Sequence, residues 1–432
     1  MSMREGKIVK YFVFLCLLVV CACDETKVPL TGKREYVLQG PLAEAAHNRK
    51  SVSSSLPSAV SINAWEQPKY GTTHVTPVIK GPKNYNKIWE VSLSYGEDTT
   101  WKISAPLIVG NKRLFVLDAG GILSALDTTT GELLWTASTT PQRCDGNLNG
   151  SMVYANGRVY IGTTFSEVIA YDDASGRILW RHHLDAPAAG GLTIENGHLF
   201  VLLSNNTLKV LNSDTGITLW THKGLMEDAK MIGNAACAVA QGIVIVPYSS
   251  GELFALHEET GSVLWEESLT KFASADLFKL FPHIRAYPII SHETVYAVGY
   301  SGVTAAFDIR TGTRHWECEV GGSETPCIAK NTLWVVNTDG LCVCINAANG
   351  ALQWKTTLPI APERSPATWQ GPLMVDGHLL VSHPDGVLVF LSPQDGRIVR
   401  HYALEDPIAA PPLILRETLF VVTKNGKVQA YR

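Results

Sequence analysis

The thiol with the clearest chemical context lies at the end of an apolar segment near the N-terminus. Basic residues precede an apolar run from Tyr11 to Val20, which is short for a membrane-spanning helix and typical of a signal peptide. The sequence then reads Cys21-Ala22-Cys23, with Val20 before it, which is the spacing of a bacterial lipoprotein processing signal. We therefore expect cleavage after residue 22 and acylation of the Cys23 thiol, with an ordinary signal peptide as the alternative.

The other cysteines of the mature chain offer a disulfide or a metal site as alternatives. Cys342 and Cys344 are two residues apart on a predicted strand, so their thiols point to the same face. A metal would need two more converging ligands, for which Cys318 and Cys327 are the candidates. We expect free thiols that fill tight core positions, and no metal site. The cysteines concerned are Cys144, Cys237, Cys318, Cys327, Cys342 and Cys344.

No arrangement of side chains typical of an enzyme stands out in the sequence. His182 and His183 are adjacent on a predicted strand, so their rings face opposite ways and do not chelate one metal ion. No nucleophile is paired with a general base in a recognisable motif. The sequence therefore predicts neither a catalytic residue nor a cofactor.

The elements that position all these residues follow from a repeated motif. Its first copy spans residues 130–135, where Gly131 is followed four residues later by Trp135. Copies return about every 40–50 residues, a period typical of solenoids and propellers. We expect each glycine to have a positive φ and each tryptophan to pack against the neighbouring unit. The structural tryptophans are Trp89, Trp135, Trp180, Trp220, Trp265, Trp316 and Trp354, and the last copy carries Arg400 instead.

Each repeat reads as four short strands separated by tight turns. In the first repeat the strands are 105–109, 113–117, 122–126 and 133–138, and such a unit is one propeller blade. Seven repeats are complete, and three more strands follow up to Tyr431. The strand around Trp89 supplies the missing fourth. The sequence therefore predicts an all-β fold, an eight-bladed β-propeller of four-stranded antiparallel blades closed by the N-terminal strand.

The composition and charge of the chain indicate its domain organisation and its expected partners. We expect a lipoprotein signal peptide at residues 1–22, a flexible tether at 23–78 and the propeller at 79–432. The tether is rich in Ser, Pro and charged residues and shows no strand or helix period. The net charge of −4 comes without a basic stripe, so nucleic acid is not an expected partner.

Three tracts and the lipoprotein signal resemble one known family. Residues 286–312 begin with AYPII and end with DIRTG, and residues 424–431 read KNGKVQAY. Residues 63–68 read NAWEQP and look like the alphaproteobacterial branch. Together with the repeats, these tracts resemble the BamB-type outer-membrane protein assembly lipoproteins, which are PQQ-repeat-like β-propellers.

The resemblance implies a scaffold rather than an enzyme. Members of this family bind the POTRA domains of the BamA subunit and assist the insertion of outer-membrane proteins. The protein would be a monomer within the hetero-oligomeric assembly complex, with other subunits as further partners. A lipid anchor would hold it at the periplasmic face of the outer membrane. Asp24 follows the acylated cysteine and is a retention signal in enteric bacteria, so the inner membrane is the alternative location.

The resemblance also implies which loops contact the partner. Enteric members use two loops, which precede the fourth and fifth blades. The first loop aligns with residues 229–232, where Met231 and Ile232 keep an apolar character. The second aligns with an acidic pair that is replaced here by His283 and Arg285. We expect these four residues to form the BamA-binding patch, with inward packing of Met231 and Ile232 as the alternative.

Two other functions share the repeat motif. PQQ-dependent dehydrogenases have similar repeats, but they carry long insertions and often an adjacent cysteine pair, and the mature chain has no two adjacent cysteines. A lipid-anchored propeller that binds a ligand or polymer in its central channel is the other alternative. Absorbance of bound PQQ tests the first, and co-purification of an assembly complex distinguishes the second from the scaffold.

Overall fold

The computed structural model describes residues 56–98, 102–103, 105–140, 150–226, 235–270, 282–359 and 369–432. All regular elements in these ranges are β-strands, and no helix there is long and apolar enough to cross a membrane. Outside the described ranges lie the predicted signal peptide, the predicted tether up to residue 55, and the residues Cys23, Asp24, Cys144, Met231 and Ile232.

The described strands form eight four-stranded sheets, numbered here as blades 1 to 8. Blades 1 to 4 comprise β2 (Ile108–Gly110), β3 (Arg113–Leu117), β4 (Ile122–Asp127), β5 (Leu133–Ser138); β6 (Gly150–Ala155), β7 (Arg158–Thr163), β8 (Glu167–Asp172), β9 (Ile178–His183); β10 (Ala188–Glu195), β11 (His198–Leu203), β12 (Thr207–Asn212), β13 (Thr218–Lys223); β14 (Ala238–Ala240), β15 (Ile243–Pro247), β16 (Glu252–His257) and β17 (Val263–Ser268). Blades 5 to 8 comprise β18 (Ile289–Ser291), β19 (Thr294–Val298), β20 (Thr304–Asp308), β21 (Arg314–Cys318); β22 (Cys327–Ala329), β23 (Thr332–Val336), β24 (Leu341–Asn346), β25 (Leu352–Thr357); β26 (Gln370–Val375), β27 (His378–His383), β28 (Val387–Leu391), β29 (Ile398–Ala403); β30 (Leu413–Leu415), β31 (Thr418–Val422), β32 (Lys427–Tyr431) and β1 (Lys87–Ser92).

The first strand of the chain closes the ring. In blade 8 the strand order is β1-β32-β31-β30, so β1 from the N-terminal side completes the sheet that the C-terminus begins. Its register is antiparallel, with Trp89 opposite Ala430 and Val91 opposite Val428. The predicted eight-bladed propeller and its closure by the N-terminal strand are confirmed.

The core lies between neighbouring blades. The three inner strands of a blade are buried almost throughout, whereas the outer strand alternates between exposed and partly buried side chains. The cluster between blades 1 and 2, for example, brings Phe115 and Leu117 against Tyr154 and Tyr171. Most of these layers join two neighbouring blades, and one joins blades 7, 8 and 1, so the ring gains core by repetition.

The repeated glycine and tryptophan make one contact that spans two blades. Trp135 of blade 1 lies over Gly176 of blade 2, where an added Cβ would come 2.5 Å from the indole. Its Nε1 donates a hydrogen bond of 2.9 Å to the carbonyl of Asp173. Gly176 also has a φ of 68°, as predicted. The packing of an indole over a glycine recurs in the pairs Trp89–Gly131, Trp180–Gly216, Trp220–Gly261, Trp265–Gly312, Trp316–Gly350 and Trp354–Gly396.

The structure corrects the predicted tether over its last part. Residues 56–78 were expected to be flexible, but Ile62 and Trp65 are buried within the core of the ring. The amide and carbonyl of Trp65 both pair with Val109 of β2. The segment is ordered because its apolar side chains and backbone groups find partners on the blades, which a local sequence pattern does not reveal.

Candidate partner-binding surface

The antiparallel sheets give the ring two different faces. Each outer strand leads into the inner strand of the next blade at one face, which we call the connection face. The hairpins between the first and second strands of each blade lie at the opposite face, which we call the hairpin face. The predicted partner loops precede the inner strands of blades 4 and 5, so they belong to the connection face.

Of the predicted patch, the structure describes His283 and Arg285 on the connection between blades 4 and 5. His283 is 2% exposed, and its carbonyl accepts a hydrogen bond of 2.9 Å from the amide of Tyr300. Ile284 is fully buried beside Tyr248 of blade 4. Arg285 is half-buried. Of the two basic side chains, Arg285 is therefore the one that presents surface to a partner.

Two opposite charges, those of Arg285 and Glu324, act on the hydroxyl of Tyr287. Burial raises the pKa of the Tyr287 hydroxyl, Glu324 of the next connection raises it further, and Arg285 lowers it. The amide of Tyr287 donates a hydrogen bond of 3.2 Å to the Thr325 hydroxyl. Arg285 and Glu324 thus bring opposite charges to one region, between the connections that enter blades 5 and 6.

The cysteines form no chemical centre in the described part of the chain. Cys237, Cys318, Cys327, Cys342 and Cys344 are free. All are buried except the half-buried Cys318, and burial raises the pKa of the Cys342 thiol to about 12. Thiols in this environment stay protonated and unreactive near neutral pH. Among the described residues, no group of three metal-ligating side chains converges.

The size and the lining of a cavity inside the ring decide whether a redox cofactor fits there. Residues of blades 1, 6, 7 and 8 line it, including Leu107, Pro326, Pro372 and Leu413. Its water-accessible volume is about 70 Å³, against roughly 10–15 Å³ for one water molecule on this measure. That space holds a few waters, and its lining includes no carboxylate to bind Ca²⁺. This cavity therefore does not fit PQQ and its metal ion.

Sequence reasoning missed the residues that close this cavity at the hairpin face. Trp65, Lys69 and His74 line it from the segment predicted as tether. His74 is 2% exposed, and burial lowers its pKa to about 4, so the ring is neutral at pH 7. The available signal was a tryptophan inside an otherwise polar segment, because an indole seldom stays in water in a flexible linker.

Comparisons with known proteins agree with this architecture. The family model described as outer membrane protein assembly factor BamB matches residues 82–144, 119–356 and 343–432. The protein of that name from Yersinia pestis is 22% identical over 362 residues, which cover 82% of this chain and 91% of the relative.

Two solved structures share the fold. BamB from Moraxella catarrhalis aligns with a TM-score of 0.68 at 18% identity, covering 80% of this chain and 99% of that one. A europium-containing methanol dehydrogenase aligns with a TM-score of 0.67 at 13% identity, covering 84% and 89%. At these identities both likenesses concern the propeller fold alone. Because the family model matches nearly the whole propeller, this chain belongs to the family of outer membrane protein assembly factors called BamB.

Proposed function

We propose that this protein is a non-enzymatic scaffold lipoprotein of the outer-membrane β-barrel assembly complex. In this role it binds the POTRA domains of BamA and assists the folding and insertion of outer-membrane proteins. Acylated Cys23 anchors it at the periplasmic face of the outer membrane. The observation that carries the proposal is the family match along almost the entire ring. The poor fit of the channel cavity to PQQ supports the scaffold over a dehydrogenase.

The contact with BamA lies on the connection face, at the loops before blades 4 and 5. Arg285 is the described residue of this patch with accessible side-chain surface. Its positive charge replaces the acidic character of the aligned enteric loop, so it pairs with an acidic residue of BamA. From the aligned loop before blade 4, Met231 and Ile232 supply the apolar part of the contact, a composition typical of interfaces.

Affinity isolation tests the complex and its interface together. A tag joined to the exposed C-terminus through a flexible linker should co-purify BamA with the wild-type chain from mild detergent extracts. Arg285→Glu combined with Met231→Asp should abolish co-purification of BamA and leave the melting temperature nearly unchanged. The matched control is Arg177→Glu, the same charge reversal at an exposed turn on the hairpin face of blade 2, which should retain BamA.

The outcomes separate the function from the site. Absence of every assembly subunit from the wild-type sample would overturn the scaffold function itself. Retention of BamA by the folded double variant would place the interface elsewhere on the ring. For the anchor, Cys23→Ser should abolish metabolic labelling by a palmitate analogue, and labelling that persists would show that another residue carries the lipid.

A further inference from the structure

Residues 60–80, which we call the strap, follow the mouth of the central channel on the hairpin face. The strap meets the inner strands of the blades near their ends, one after another. On blade 1, the amide of Trp65 donates to Val109 at 2.9 Å, and the amide of Val109 donates back at 2.7 Å. On blade 2, the amide of Tyr154 donates to the carbonyl of Glu66 at 2.8 Å.

Blades 3 and 4 continue the series. The side-chain amide of Gln67 donates to the carbonyl of Ile194 at 2.9 Å and accepts from the amide of the same residue at 3.4 Å. The Gln67 side chain thus makes with blade 3 the same pair of reciprocal hydrogen bonds that the Trp65 backbone makes with blade 1. On blade 4, the amide of Val239 donates to the carbonyl of Thr72 at 2.9 Å.

Blades 5 and 6 hold the strap by polar and apolar contacts. The amide of Ile290 donates to the carbonyl of Thr73 at 3.0 Å. The neutral ring of His74 donates from Nδ1 to the carbonyl of Pro288 at 2.7 Å, on the connection that enters blade 5. Val75 packs against the hydrophobic cluster between blades 5 and 6.

The two ends of the strap lie on blades 8 and 7. The carbonyl of Ile62 accepts from the amide of Arg416 at 3.1 Å on blade 8. Ile79 pairs with β26 of blade 7, donating to the carbonyl of Met374 at 2.9 Å. Val60 then pairs with the strap's own far end through the carbonyl of Val78 at 2.9 Å, so the strap closes into a loop.

The side chains that the strap turns inward are buried like those of a bound ligand. Trp65 is 5% exposed, Gln67 6% and His74 2%. They combine an apolar anchor with two polar groups that each have a defined partner, which is the usual make-up of a specific recognition site. The strap backbone pairs with inner strands, which are edge strands of their blades, and extended peptides dock on sheet edges through such backbone pairing.

We propose that the hairpin-face mouth of the channel is a binding site for an extended peptide, and that the strap is its resident ligand. The site recognises an aromatic side chain at blade 1, a primary amide at blade 3 and a neutral imidazole at blade 5. While the strap is bound, this mouth is closed to other molecules, so any partner reaches the ring from its outer surface or from the connection face.

Cleavage of the folded full-length chain tests whether the strap binds as a ligand. A site for a specific protease is inserted between the exposed residues Lys83 and Asn84, which follow the strap. After cleavage at pH 7.5, the N-terminal fragment should stay with the ring in size-exclusion chromatography. Excess synthetic peptide of residues 56–80 should then exchange for it slowly. A fragment that separates from the ring at once would overturn the proposal.

Substitutions test whether side chains give the site its specificity. In the cleavable chain, Trp65→Ala with Gln67→Ala should speed release of the fragment by at least about tenfold, which corresponds to roughly 1.4 kcal/mol. The matched control is Glu66→Ala, since Glu66 contacts blade 2 through its carbonyl and its side chain is exposed. It should release at the wild-type rate. Equal acceleration in both variants would overturn side-chain recognition.

Hydrogen exchange on the unmodified chain gives a measurement that does not depend on any insertion. The amides of Trp65 and Ile79, which donate to blades, should exchange as slowly as amides of the inner strands. Exchange of these two amides at the rate of an open linker would show that the strap is not bound in solution, and would overturn the proposal even if the cleaved fragment were retained.

Discussion

The contact between a tryptophan and the glycine of the next blade makes a quantitative prediction. Gly216 has a φ of 72°, and a Cβ there would lie 2.7 Å from Cε3 of Trp180. Gly242 has a φ of 75°, and its Cβ would meet no atom within 4 Å. The two glycines share the backbone conformation, but only Gly216 has an indole packed against it. Substituting alanine at each position therefore separates the cost of the positive φ from the cost of the clash with the indole.

The expected losses follow from those two distances. A left-handed conformation costs a non-glycine residue about 1–2 kcal/mol, so Gly242→Ala should lower the free energy of unfolding by that amount. Gly216→Ala adds the overpacking of a filled site, about 1–3 kcal/mol. It should therefore lose about 2–5 kcal/mol in total. Urea unfolding, compared at constant slope, measures both values.

A double-mutant cycle identifies the indole as the cause. With Trp180→Ala in the background, the clash disappears, so Gly216→Ala should cost no more than Gly242→Ala does. Equal losses for the two glycines in the wild-type background would refute the reasoning. So would an unchanged loss for Gly216→Ala after the tryptophan is removed.

Three further predictions concern the closure, the last repeat and the strap. Deleting residues 81–95 removes β1 and should lower the melting temperature by about 10 °C, and an unchanged value would contradict closure by this strand. Arg400→Ala should cost under about 1 kcal/mol in urea unfolding, whereas Trp220→Ala should approach about 3 kcal/mol, and equal losses would contradict the repeat contact. The pKa of His74 is lowered to about 4 by burial, so its neutral form stabilises the folded state fully above pH 6.5 and progressively less as the pH falls towards 4. The loss of folding free energy should reach roughly 3 kcal/mol. It should be absent in His74→Asn, because asparagine keeps a hydrogen-bond donor, tolerates the positive φ and does not titrate. Equal acid sensitivity of the two proteins would contradict this role of His74.

The ring was predictable from the sequence because its determinants are local. Strand alternation, tight turns and the glycine–tryptophan spacing all lie within one repeat, and the incomplete last repeat points to β1 as its missing strand. The strap was not predictable in this way. Gln67 meets Ile194, which is 127 residues away, and the strap changes its partner blade every few residues. No period in its own sequence can therefore report its contacts.

The candidate interface shows the same limit on a smaller scale. His283 and Arg285 are two residues apart in an irregular connection, and both are basic by sequence. His283 is buried and Arg285 is half-buried, and the backbone between them is held by hydrogen bonds to Tyr300 of blade 5 and Tyr248 of blade 4. A resemblance transfers the position of a loop along the chain, but neighbouring blades determine which of its side chains reach the surface.

Arg400 stands at the position where the other complete repeats carry their tryptophan. The partner of each repeat tryptophan is a turn between the last two strands of the next blade. In blade 8 these two strands are β32 and β1, which are not consecutive in the chain and are not joined by a turn. Arg400 instead lies over the ring of Phe390, 4.4 Å from its centroid, and Tyr85 stacks on Tyr402 at 4.4 Å.

The strap lies across this junction between blades 7 and 8. Its ends dock on these two blades, through Ile79 and Ile62, and meet each other where Val60 pairs with Val78. Every other neighbouring pair of blades is joined by a tryptophan over a glycine. The junction between blades 7 and 8 lacks the tryptophan contact and is also the place where the two ends of the strap meet. Release of the strap should therefore loosen the ring first between these two blades.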